Sequence, residues 1–174
     1  MNATPNSNRI TITIYGKRNA GKSSLLNSIT GQEVSIVSEV KGTTTDPVKK
    51  AMELIPVGPV LFIDTAGIDD EGTLGSLRIK RSLEVGRRTN LAIYVMDITD
   101  LDEDSFNTMK KHFDKYNIPY ILVINKIDKV SSNYVEEVKN IYKDAIFVSS
   151  LTGKNIDQLK EELINRIKAL RKDP

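Results

Sequence analysis

Six short stretches of the chain are β-branched or continuously apolar, and most of the segments between them carry apolar residues every three or four positions. Residues 10–15 alternate Ile and Thr before Tyr15 and read as a strand. Residues 22–29 place Leu25, Leu26 and Ile29 at helical spacing, and Gly31 marks a stop. Residues 32–47 show no period and read as an irregular loop. Residues 50–55 and 60–64 read as strands joined through a short turn at Val57, Gly58 and Pro59. A second loop rich in Gly and Asp covers 65–75, and a helix is expected over 76–88. The runs 91–97 and 120–125 are continuously apolar, as in strands buried on both faces. Between them, 102–116 reads as a helix whose first turn carries Asp and Glu, a favourable arrangement for the helix dipole. Ser131 or Ser132 can cap a helix bearing Val135, Val138 and Ile141 on one face. A short strand at 145–148 precedes an amphipathic helix over 156–170, with Ile156, Leu159, Leu163, Ile164, Ile167 and Leu170 as its stripe. This alternation predicts an α/β fold: a six-stranded, mostly parallel sheet with 50–55 as an antiparallel edge strand, flanked by about five helices.

Composition narrows the chemistry. The chain has 174 residues, enough for one domain with a sizeable core. Lys plus Arg number 25 and Asp plus Glu 23, giving a net charge of +2, so bulk charge does not point to nucleic acid as a partner. There is no cysteine, which excludes disulfides, thiolate zinc sites and cysteine-ligated iron–sulfur clusters within these residues. The single histidine, His112, sits near Lys110 and Lys111 and reads as a surface residue. No apolar run approaches the roughly 20 residues of a membrane-spanning helix, and the polar start lacks a signal-peptide pattern, so a cytoplasmic protein is expected. Residues 1–8 read as a frayed tail and 171–174 as the start of a linker.

The strongest chemical signal is Gly16-Lys17-Arg18-Asn19-Ala20-Gly21-Lys22-Ser23, followed by Ser24. It matches GxxxxGK[ST] at each fixed position, between an expected strand and an expected helix. Glycines let backbone approach phosphate closely, and successive N–H groups at a helix start form an anion nest. Lys22 supplies a point charge for the β- and γ-phosphates, and Ser23 a hydroxyl for Mg2+. Asp64, Thr65, Ala66 and Gly67 follow at the end of another strand. The carboxylate there can hold Mg2+ through water, and the Gly67 N–H can meet a γ-phosphate. Thr43, Thr44 and Thr45 lie in the first irregular loop, where one hydroxyl can also reach the metal.

A third group reads a base. Asn125-Lys126-Ile127-Asp128 follows the second buried strand. Asp128 can accept from the N1–H and 2-amino groups of guanine; adenine lacks that pair and would leave a buried carboxylate unpaired. Asn125 is expected to hold the loop and reach the base, with the stem of Lys126 across the ring. Ser149, Ser150 and Leu151 can present backbone N–H to the guanine carbonyl.

In this order, from about residue 9 to 170, the motifs resemble those of small GTPase domains, whose fold is a P-loop three-layer sandwich. Asn19 with Gly42-Thr43-Thr44-Thr45-Asp46 resembles the bacterial branch that includes tRNA-modification and ribosome-assembly GTPases. The longer string from Gly42 to Pro47, then Gly58-Pro59-Val60, then Asp64 to Gly72, is similar to the GTPase domain of the HydF family, scaffold and carrier proteins of FeFe-hydrogenase maturation. The resemblance implies GTP and GDP as ligands, Mg2+ on Ser23, Thr44 and Asp64, and K+ held by Asn19 with backbone carbonyls of Ser38 and Val40. Lys22, Asn19 and Gly67 are then the expected catalytic groups. Ile68 stands where many signalling GTPases carry a water-orienting glutamine, so slow intrinsic hydrolysis is expected. Asp69, Asp70 and Glu71 do not align securely with a substitute. The resemblance also implies hydrogenase-maturation partners reached through a longer protein, a dimer formed through the switch loops, and no cluster bound by this chain. Two other roles stay open: a ribosome or tRNA factor, and an interaction module in which hydrolysis is incidental.

Overall fold

The computed structural model describes residues 10–31, 48–65 and 89–172. Within them the alternating apolar stretches form six strands: β1 (Ile10–Gly16), β2 (Val48–Leu54), β3 (Gly58–Asp64), β4 (Leu91–Asp97), β5 (Tyr120–Asn125) and β6 (Ile146–Phe147). Four α-helices accompany them: α1 (Lys22–Thr30), α2 (Glu103–Lys115), α3 (Ser132–Ile141) and α4 (Ile156–Lys172). The strands make one sheet in the order β2-β3-β1-β4-β5-β6. All neighbours run parallel except β2, which pairs antiparallel with β3 at the edge, as the short turn between them requires. The tail over 1–8 and the helix over 76–88 lie outside the described residues.

Both faces of the sheet are covered, which explains the unbroken apolar runs of β4 and β5. Along β4, Leu91, Ile93 and Val95 face a core built with Leu25, Leu26 and Ile29 of α1 and Ile156, Leu159, Leu163 and Ile167 of α4. Ala92, Tyr94 and Met96 face the opposite core, with Phe106, Met109 and Phe113 of α2 and Val138 of α3. Each fully buried Leu, Ile or Phe side chain contributes roughly 1.5–3 kcal/mol. Tyr15 lies in the second core with its ring on Phe113. His112 is half-buried against the rings of Phe113 and Tyr116 rather than lying on the surface.

Of the two serines that could cap α3, Ser131 does so, its hydroxyl accepting from the Tyr134 N–H at 3.2 Å. Two other expectations shift. Ile141, expected on the buried face of that helix, is 68% exposed. The final helix, expected over 156–170, continues to Lys172. Parallel pairing brings the carboxyl ends of β1, β3, β4 and β5 to one edge, with Asp64 opposite Ile14, Gly16 opposite Val95 and Asp97 opposite Asn125. In open parallel sheets this edge is where ligands bind.

Candidate functional site

The turn leaving β1 is shaped by two glycines. Gly16 has φ +139°, and a Cβ there would stand 2.3 Å from the Val95 carbonyl oxygen in the next strand. Gly21 has φ +90°, and its Cβ would stand 2.7 Å from Asn125 Nδ2. Between them Arg18–Ala20 make one 3-10 turn, and α1 begins at Lys22. Its first turn therefore offers N–H groups without intrahelical partners, the usual basis of anion binding at such a turn. Ser24 is exposed there and donates to Ser150 Oγ at 2.9 Å. Lys22 is buried, and its ammonium donates to the Gly16 carbonyl at the mouth of the loop. Lys17 reaches Asp100 at 3.8 Å in an exposed ion pair, and Arg18 is exposed.

Asp64 lies beside this loop at the end of β3 and is fully buried. Its Oδ2 accepts from Ser23 Oγ at 3.1 Å. Its Oδ1 is buried with no hydrogen-bond partner among the described residues. Burial pushes the carboxyl above its ordinary range, against the opposing pull of Lys22 and the Ser23 hydroxyl. An orphaned carboxylate oxygen with a serine hydroxyl beside it suits a hydrated Mg2+, which takes one or two protein oxygens and keeps its waters. Ser23 and Asp64 would hold that ion, and its charge would stabilise oxygens of a bound triphosphate. Thr65 is committed to the backbone: both its N–H and its hydroxyl donate to the Ile14 carbonyl, at 3.1 and 2.8 Å. Thr43, Thr44, Thr45, Ala66, Gly67, Ser38 and Val40 lie outside the described residues.

The base-reading residues assemble at the ends of β5 and β6. Asn125 is fully buried, and its carboxamide makes three bonds within the protein. Nδ2 donates to the Ala20 carbonyl at 3.0 Å and to Ser150 Oγ at 3.1 Å, and Oδ1 accepts from the Ser150 N–H at 3.0 Å. It ties the phosphate loop to the loop after β6. Asp128 accepts from Ser149 Oγ at 2.7 Å through one oxygen. It is exposed, not buried as the sequence reading supposed, because it rides on a 3-10 turn at the surface (Ile127–Lys129). The Ser149 N–H donates to the Lys154 carbonyl and the Ser150 N–H to Asn125. Of the three backbone donors expected at the base, two are thus engaged within the protein. Leu151 is 79% exposed.

Lys126 links the two ends. Its ammonium donates to the Asn19 carbonyl in the phosphate loop and pairs with Asp97 Oδ2 at 3.1 Å. Asp97 was missed in the sequence, although its signal is that of Asp64: a carboxylate closing a buried strand. Partial burial alone would raise its pKa, but bonds from the Thr99 hydroxyl and amide and from Lys126 hold it below the ordinary range.

The edge thus presents a phosphate loop, a metal-type carboxylate and a base-reading loop in contact with one another. A family model described as "50S ribosome-binding GTPase" matches residues 11–126. The chain belongs to this GTPase family. It is a GTPase domain of the Der, Era and MnmE type. GTPase Der of Wolinella succinogenes is 38% identical over 170 residues, which cover 89% of this chain and 35% of the relative. The tRNA modification GTPase MnmE of Caldicellulosiruptor saccharolyticus is 31% identical over 155 residues, covering 86% of this chain and 32% of the relative. The structure of an Aquifex aeolicus Era variant bound to GDP and AlF4− superposes with a TM-score of 0.71 at 27% identity, covering 90% of this chain and 56% of that one. A structure of Era with MgGDPNP and a segment of 16S ribosomal RNA gives the same TM-score, identity and coverage. The chain spans about a third of the length of the curated relatives. No helix among the described residues of this GTPase domain is long and apolar enough to cross a membrane.

Proposed function

We propose that the chain is a guanine-nucleotide switch that binds GTP with Mg2+, cleaves it slowly to GDP and phosphate, and is activated by K+. Water attacks the γ-phosphorus, the bond to the β–γ bridging oxygen breaks, and GDP leaves with the electron pair. The observation that carries the reading is the set of contacts from Asp64 and Ser23 through Lys22 and the phosphate loop to Asn125 and Lys126, with Asp128 held by Ser149 next to the Asn125-bound Ser150. Lys22 would neutralise the β- and γ-oxygens, Ser23 and Asp64 would hold Mg2+, and Asp128 would read guanine. Thr44 and Gly67 are proposed to reach the metal and the γ-phosphate from the two switch loops. The side chain of Asn19, exposed on the phosphate loop, is proposed to hold K+ with carbonyls of Ser38 and Val40. A dimer formed through the switch loops is also proposed.

Hydrolysis in Mg2+ buffer tests this, comparing K+ with Na+ in the native chain and in Asn19→Ala. A K+-specific rate that collapses in the variant is the expected result. Equal rates in both salts, unaltered by the substitution, would remove the cation mechanism and leave a plain GTP switch.

Two cellular roles are proposed for the switch. The relatives named Der and MnmE favour ribosome assembly or tRNA modification. The string Gly42 to Pro47 and Asp64 to Gly72 favours action in FeFe-hydrogenase maturation. Deleting the encoding gene separates them: loss of hydrogenase activity with normal ribosome profiles supports maturation, and the converse supports the RNA role.

A further inference from the structure

We infer that Asp97 is a positioning residue for guanine-nucleotide binding, acting through Lys126; the inference rests on the guanine reading above. The two oxygens of Asp97 divide their work. Oδ1 accepts from the Thr99 N–H at 2.8 Å and the Thr99 hydroxyl at 2.6 Å, which fixes the carboxylate on the turn after β4. Oδ2 faces Lys126 Nζ at 3.1 Å. The register places Asp97 directly opposite Asn125, so the carboxylate stands one residue from the base-reading loop on a neighbouring parallel strand.

Lys126 needs such an anchor. Its backbone has φ +70°, a left-handed conformation disfavoured for a residue with a Cβ, at the point where β5 turns into the Ile127–Lys129 turn. Its side chain must cross from there to the phosphate loop, where the ammonium holds the Asn19 carbonyl. A lysine ammonium is strongly hydrated and its four-carbon stem is flexible, so a single carbonyl is a weak restraint. A carboxylate at 12% exposure supplies the opposite charge with little water to screen it. With both partners in place the stem is drawn taut between the base-reading loop and the phosphate loop. The same ion pair thereby couples the base end of the site to the loop that would hold the phosphates. The nearby Lys17–Asp100 pair is far more exposed, at 39% and 65%, and does not substitute for it.

The test measures dissociation of ribose-labelled GDP from the full chain. Asp97→Asn keeps the acceptor for Thr99 but removes the charge, and is expected to speed dissociation about tenfold. Lys126→Met keeps an unbranched stem without the ammonium and is expected to speed it at least as much, since it also loses the bond to the Asn19 carbonyl. In the double variant the rate should match Lys126→Met alone, because the pair with Asp97 is already broken there. Thr99→Ala should change the rate less than about twofold, and Asp97→Glu should recover most of the loss; the latter serves if Asp97→Asn fails to fold. Additive effects overturn the inference. So does an unchanged rate in Asp97→Asn, or a Thr99→Ala effect of equal size, which would make Asp97 a loop cap only. A native chain that does not retain GDP would overturn the guanine reading itself.

Discussion

At the scale of single residues, Asp64 carries two opposed roles that can be separated by pH. Its folded pKa is raised, mainly by burial, so the folded chain holds the proton more tightly than the unfolded one. Such a carboxyl contributes stability below its unfolded pKa and loses that contribution as pH rises through the folded value. Above the folded pKa, where Asp64 is ionised, it is therefore a net cost to the metal-free fold, only partly offset by Lys22 and Ser23. Asp64→Asn is expected to raise the thermal midpoint measured without nucleotide or metal, and to weaken Mg2+ binding with GTP about 10–100-fold. In the native chain the gap between GTP affinity with Mg2+ and with EDTA should shrink on acidification through the raised pKa. In Asp64→Asn that gap should be small and flat with pH. A steep pH dependence that survives the substitution would assign the titration to another group. The position of Asp64 at the end of a strand was legible in the sequence. That its Oδ2 takes a hydroxyl from 41 residues away, leaving Oδ1 without a partner among the described residues, was not, because sequence does not show which groups reach a side chain.

At the scale of elements, the phosphate loop is specified by what its glycines exclude. A Cβ on Gly16 would meet backbone of β4, which cannot move without breaking the sheet; a Cβ on Gly21 would clash with the side-chain amide of Asn125 and touch Lys126 Cε at ordinary contact distance. Gly16→Ala is expected to lower folding stability by more than about 3 kcal/mol, since clash adds to a positive φ. Gly21→Ala should cost about 1–2 kcal/mol and abolish tight GTP binding, because displacing Asn125 frees the Ala20 carbonyl and the Ser150 N–H together. Urea unfolding and GDP titration check both, and equal stability losses would contradict the distinction. The same scale shows what a sequence can reveal. The spans of β4 and β5 follow from their apolar runs alone, since strands buried on both faces need no partner to be recognised. The apolar stripe of α3 misleads at Ile141, because β6 is only two residues long and offers too little strand beneath the last turn. Asp97 was missed for a related reason: its role comes from Thr99 and Lys126, and periodicity carries no record of such neighbours. GxxxxGKS and NKID were readable because each is local, with its function set by backbone conformation and spacing.

At the scale of the molecule, Asn125, Lys126 and Asp128 join loops from β1, β4, β5 and β6 into one edge, so a ligand spanning that edge should stabilise the whole fold by mass action. A ligand at 100 times its Kd contributes about 2.7 kcal/mol. For a domain of this size that corresponds to a rise in midpoint of roughly 5–10 °C. GDP and GTP are both expected to give it. ATP at the same concentration should give none, because adenine offers neither donor to Asp128. Ser149 holds that carboxylate in place through its hydroxyl, so Asp128 is presented in a fixed orientation even though it is exposed. Asp128→Ala should therefore reduce the GTP shift to the level of ATP while leaving the ligand-free midpoint within about 1–2 °C, as for an exposed position. Thermal melts of the two chains with GTP, GDP and ATP measure this directly. If ATP raises the native midpoint as much as GTP does, the phosphate loop alone accounts for binding, and Asp128 does not select the base.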